Sequence, residues 1–277
     1  MNWRKFILLL VLALLLPVAC TGEKKKTPQN SGAVKTIPQG IKEIEGSLQE
    51  IMRQADLIPV IDKLAAGEGE TADLTFEATT FGEVLAREVE TGGREKKQKP
   101  PQDEAEIWSQ IKQKVTALHS QWDQLEPDLM QKKVPAAVIG KFEDELDSLT
   151  LFSTAQDGPS ILRSANQLTG YLYQLMASFV EDPIPLTYEF KYHLRKILLH
   201  AASGAYDLAG ENLAYMQEQK AALTMALEDK KASALEAEFS ASLDNLQRAL
   251  DKQNFDLVKV NAAVVMENLA LILQAIE

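Results

Sequence analysis

Apolar positions recur in steps of three and four along most of this chain, and that period marks helices. Ile41, Ile44, Leu48, Ile51 and Met52 draw the first stripe, which Pro59 interrupts before Val60, Ile61 and Leu64. Phe81, Val84, Leu85 and Val89 draw a shorter one. Asp103 stands at an N-cap position ahead of Ile107, Ile111, Val115, Leu118, Trp122, Leu125 and Leu129. A second helix starts near Pro135 and carries Val138, Ile139, Phe142, Leu146 and Leu149. After Asp157-Gly158-Pro159 a third runs from Ile161 through Leu168 and Leu175 to Phe179. Phe190, Leu194, Ile197 and Leu198 open the next run, which turns at Ser203-Gly204. Tyr206, Ala209, Leu213 and Met216 then lie on a helix ending near Asp229. Leu235, Phe239, Leu243 and Leu246 mark another, and Phe255 to Ile276 the last. No stretch alternates at period two for long enough to build a sheet. The expected fold class is all-α.

The stripes repeat. Phe142 and Phe239 lie 97 positions apart, and the same shift brings Leu146 onto Leu243, Leu149 onto Leu246, and Ala165 onto Ala262. Leu172 meets Leu269, and Leu175 meets Ile272. Self-similarity at a fixed offset decides architecture. Two related antiparallel helical bundles in tandem are therefore expected, with residues 102–182 as the first module and 183–277 as the second. They meet at a joint, residues 180–186, stiffened by Pro183 and Pro185. Residues 41–101 precede them as N-terminal helices and an exposed linker. Gly92-Gly93 through Pro100-Pro101 is its most protease-sensitive part.

The start of the chain has a different texture. Met-Asn-Trp-Arg-Lys is followed by an apolar run from Phe6 to Leu16 and then by Pro17-Val18-Ala19-Cys20. A basic start, a short apolar segment and small residues at its end read as a secretory leader over residues 1–19. The run is too short for a bilayer span of roughly 20 residues. Residues 20–40 form a polar tether with Pro28, Gly32 and Pro38, and its Lys24-Lys25-Lys26 suits an anionic membrane surface.

Composition narrows the classes of function. The formal charge is -11, and no basic stripe is present, which argues against nucleic acid as a partner. The one cysteine leaves no disulfide framework and no cysteine-based zinc site. No Gly-x-Ser-x-Gly elbow, His-Glu-x-x-His or phosphate-cradling glycine loop occurs, so no enzyme, no catalytic residue and no cofactor is expected. His193 and His200 are seven apart, about 10.5 Å along a helix, too far for one metal. Glu189 and His193 share a helix face at metal-site spacing, so the alternative reading is a metal- or haem-handling envelope protein using His193 and its neighbours. All six tyrosines fall around the joint. Either they pack the modules together, or Tyr171, Tyr188 and Tyr192, with His193 at the edge, line a groove there.

Three stretches resemble known families. Ala19-Cys20 after the apolar run resembles the lipobox of bacterial lipoproteins, although Pro17 stands where that family usually has Leu. The resemblance implies cleavage before Cys20, acylation of its thiol, and lipid anchoring outside the cytoplasm, at the cell membrane or an outer membrane. Phe-x-x-x-Leu-Asp-x-Leu on the penultimate helix of each module is similar to helical ectodomains of bacterial envelope lipoproteins with no assigned activity, over residues 102–277. The turn Ala201-Ala202-Ser203-Gly204-Ala205-Tyr206 resembles the hairpin turn of tetratricopeptide repeats, without their period. The expected protein is an anchored, non-enzymatic binding or scaffolding lipoprotein. Its partners are membrane lipid through Cys20 and an unidentified envelope protein or small ligand.

Overall fold

Each of the nine longer apolar stripes lies on a helix among the described residues. The computed structural model describes residues 36–61, 79–90, 101, 103–180, 183–225 and 230–276. The leader, Cys20, the tether to residue 35 and the 92–100 linker lie outside the described residues. In chain order the helices are α1 (Gln39–Leu57), α2 (Gly82–Glu90), α3 (Glu104–Gln131), α4 (Ala136–Ala155) and α5 (Gly158–Met176). They continue as α6 (Ile184–Ala202), α7 (Tyr206–Thr224), α8 (Lys230–Asp251) and α9 (Phe255–Ile276). No strand occurs among the described residues, so the fold is all-α.

The helix ends follow local chemistry. Asp103 Oδ1 accepts the Glu106 N–H at 2.8 Å, closing the first turn of α3. Asp157 and Asn254 do the same for Ser160 at 3.1 Å and Leu257 at 2.9 Å. Gln156 and Gln253 take positive φ, 57° and 49°, to turn the chain out of α4 and α8. Gly204, at φ 77°, supplies the same reversal after α6. Pro59 stops α1 at Leu57, and the chain continues as a 3-10 turn, Ile58–Val60. Pro135 sits at the N-cap of α4. The third apolar stripe had suggested a helix to Phe179, but α5 ends at Met176. Turn hydrogen bonds from Ser178 and Phe179 then fold Phe179 back into the core. α7 ends at Thr224, short of Asp229.

Packing groups the helices into two rings of four. α1 lies against α3 and α5, α3 against α4, and α4 against α5. The same closure recurs as α6 against α7 and α9, α7 against α8, and α8 against α9. α5 and α6 join the rings, while short α2 packs on α9 and α1. One continuous core runs through both, from Ile41 to Ile272. Residues 41–101, expected to stand apart as N-terminal helices and linker, instead supply α1, which closes the first ring, and α2, which bridges to the second. Amphipathic stripes require burial without saying against what, so this pairing could not be read in advance.

Candidate binding site at the α5–α6 seam

The seam is close because one residue is small. A Cβ at Gly170 would meet the Tyr192 ring at 2.8 Å, so glycine lets α6 settle on α5. The Tyr192 hydroxyl donates to Gln167 Oε1 at 3.0 Å. Beside it opens a pocket of about 220 Å³, walled by Asn166 and Gln167 of α5 and by Lys196, Leu199 and His200 of α6. Arg163, Leu199 and Ser203 also border a neighbouring cavity of about 430 Å³. Ile58, Pro59, Trp108, Pro159 and Leu162 give that cavity apolar walls.

The carboxylates of the larger cavity are engaged. Glu104 accepts the Trp108 indole N–H at 2.8 Å. Asp56 accepts the N–H groups of Thr80 at 2.8 Å and Phe81 at 2.6 Å, capping the approach to α2. Burial pushes the Asp56 carboxyl up to about 6, against the downward pull of those N–H groups. The two cations of the smaller pocket are not so engaged. Among the described residues neither Arg163 nor Lys196 pairs with a carboxylate in an ion pair. Arg163 donates through Nη2 to Ser160 Oγ at 2.9 Å, and the Lys196 ammonium stands 5.6 Å from the centre of the Tyr192 ring. Burial, aided by the Lys196 charge, pushes the His200 imidazole below its ordinary value.

A buried charged layer lies behind the seam. Arg195, 1% exposed, donates to Glu88 of α2 at 2.7 Å and to Asn166 and Thr169 of α5 at 3.0 and 3.2 Å. Lys191 reaches the other oxygen of Glu88 at 3.3 Å. Burial pushes the Glu88 carboxyl up, but the Arg195 and Lys191 charges outweigh that and hold it below the usual range. Glu45 of α1 shares this environment with less compensation. Burial dominates, and the Glu88 charge adds to it, so its carboxyl is pushed up to about 7 despite Lys191 and Arg195. A raised carboxylate binds its proton in the folded state between about 4.5 and 7, where the unfolded chain releases it. Stability from Glu45 is therefore full below pH 4.5 and is lost as pH rises to about 7. Glu45→Gln should flatten that slope and raise stability at pH 8 by on the order of 1–3 kcal/mol. Urea unfolding from pH 5 to 8 checks it; an unchanged slope rules out a buried, protonating Glu45.

The residues singled out in the sequence do not all converge. Tyr192 lines the smaller pocket, and Tyr171 hydrogen-bonds the same Gln167. Tyr188 and Tyr192 are both 8% exposed. Tyr188 turns to the charged layer, with the Lys191 ammonium 4.7 Å from its ring centre. His193 sits between α6 and α7, its Nδ1 at 2.9 Å from Asn212 Oδ1. Asn212 Nδ2 donates to the Leu208 carbonyl, which turns its oxygen to His193 and places the ring proton on Nδ1. Burial lowers the His193 pKa, so the ring is neutral at neutral pH. Glu189, 4.0 Å from Nε2, instead accepts the Tyr215 hydroxyl at 2.6 Å and that of Tyr173. Among the described residues no three His, Cys, Asp or Glu side chains gather as a metal site.

Arg163, Lys196 and Trp108 were not singled out by sequence. A signal existed: Tyr192, Lys196, His200 and Ser203 follow one another at helical spacing on one face of α6. Nothing in that spacing says that the facing wall carries Arg163. No family model, curated protein or solved structure matches this chain.

Proposed function

We propose that this protein is a membrane-anchored extracytoplasmic lipoprotein whose helical body binds a ligand or partner and carries out no turnover. The observation that carries the reading is the position of the single cysteine, directly after the leader's apolar run and small residues and ahead of the polar stretch that leads to α1. Two or more acyl chains at ~0.8 kcal/mol per buried methylene hold a protein stably at a bilayer. No helix among the described residues is long and apolar enough to cross a membrane. The binding half of the reading is supported by the seam cavities, which lie between the two helix rings, where ligand pockets are favoured.

The body is, in the same proposal, a tandem duplication. Support comes from turn chemistry as well as from the apolar stripes. Gln156 and Gln253 are 97 positions apart and both take positive φ. The capping residues that follow, Asp157 and Asn254, stand at the same offset, as do their targets Ser160 and Leu257.

Cys20→Ser tests the anchor. The variant should accumulate as an uncleaved precursor that takes up no radiolabelled fatty acid, while the parent chain is labelled. Label on the Ser variant, with cleavage at the same bond, would sink the lipoprotein reading.

A further inference from the structure

Resting on the binding reading above, we propose that the seam is a site for a small amphipathic anion, its acidic head held by Arg163 and Lys196 and its apolar body lying in the cavity beside Trp108. The charge pattern separates the two halves. The smaller pocket is bordered by Arg163, Lys196 and His200 and by no carboxylate, in a chain whose net charge is -11. In so acidic a protein, two cations facing one concavity attract anions, and Arg163 reaches the Asp157 carboxylate only through the Ser160 hydroxyl. Guanidinium and ammonium groups both suit a carboxylate or phosphate. Gln167 is tied down by the Tyr192 hydroxyl, so the polar wall is held in place before any ligand arrives.

The second half is apolar. Ile58, Pro59, Trp108, Pro159 and Leu162 surround a volume of about 430 Å³, within the range of small-ligand sites. Arg163, Leu199 and Ser203 border both spaces, so one molecule can touch both. The carboxylates of the larger cavity are held by the Trp108 indole and by the Thr80 and Phe81 N–H groups rather than by either cation. A free inorganic anion would use only the head subsite, and a neutral apolar molecule only the other.

The test uses the full chain in a neutral sugar detergent, titrated calorimetrically with sodium naphthalene-2-carboxylate against a protein-free detergent control. One-to-one binding is expected, with naphthalene-2-carboxamide at least tenfold weaker because it lacks the charge. Inorganic phosphate should be weaker still, since it gains nothing from the apolar cavity. Arg163→Gln and Lys196→Gln should each weaken the carboxylate about tenfold with melting unchanged, both side chains being at least partly exposed. Ala202→Trp, at an exposed position on the cavity wall, should block binding without touching the cations. Equal affinity for the carboxamide, unchanged affinity in both cation variants, or phosphate binding as tightly as the carboxylate overturns the assignment. A chain that is acylated at Cys20 yet binds no carboxylate loses this site alone. A chain that binds the carboxylate without acylation loses the anchor alone.

Discussion

Replacing Arg195 by Met should destabilise the protein by ~3–5 kcal/mol, the cost of breaking a buried ion pair from one side. Arg195 spends its donors on two helices besides its own, Glu88 of α2 and Asn166 and Thr169 of α5. Methionine fills much of the same volume, so packing is largely kept and the electrostatic loss dominates. Glu88, with a side chain 2% exposed, would lose its 2.7 Å guanidinium partner, and Asn166 Oδ1 would lose its Nε–H donor. For a body of this size each kcal/mol moves the melting temperature by roughly 2–4 °C. A fall on the order of 6–20 °C is expected. The paired change Glu88→Leu with Arg195→Met should recover part of the loss, because the buried carboxylate leaves together with the guanidinium, and Lys191 keeps the Tyr188 ring and the Glu45 charge beside it. A loss under about 1 kcal/mol in the single variant would show that water reaches the guanidinium, and the layer would not be a dry one.

Phe142→Ala and Phe239→Ala should each cost ~3–5 kcal/mol. Both rings are wholly buried, in α4 and α8. Their neighbours differ in an informative way. Phe142 stacks on Trp122 of α3, ring centres 4.1 Å apart and planes 15° from parallel. In the proposed duplication Trp122 falls on Gln219 of α7, which offers no such surface. Phe239 instead meets Phe190 of α6 at 6.0 Å and 26°. Each buried ring is thus covered by an aromatic neighbour, from α3 in one case and from α6 in the other, as close packing demands. Urea unfolding of the two variants checks the magnitude. A cost below about 1.5 kcal/mol at either position would mean that the core collapses around the deletion there, and that the ring does not anchor its bundle.

Much of the helical framework was legible in the chain. Spacing at three and four residues placed every helix, Pro59 marked where α1 ends, and Asp103 and Asp157 marked where α3 and α5 begin, because these are local effects of backbone geometry and capping. The end of α5 was misplaced because Phe179 continues the apolar spacing while being buried through turn hydrogen bonds. Only the tertiary structure decided which stripes face one another. It put α1 into the first ring, set α2 against α9, and joined Glu88 to Arg195 across 107 residues. Tyr188 and Tyr192, one turn apart on α6, likewise part ways, one to the charged layer and one to the pocket. An amphipathic face determines that it will be covered, and its own sequence holds no record of the partner. The site inherits that limit: Lys196 and Tyr192 are neighbours by helical period, whereas Arg163 and Trp108 reach the seam only because the ends of α1, α3, α4, α5 and α6 meet there.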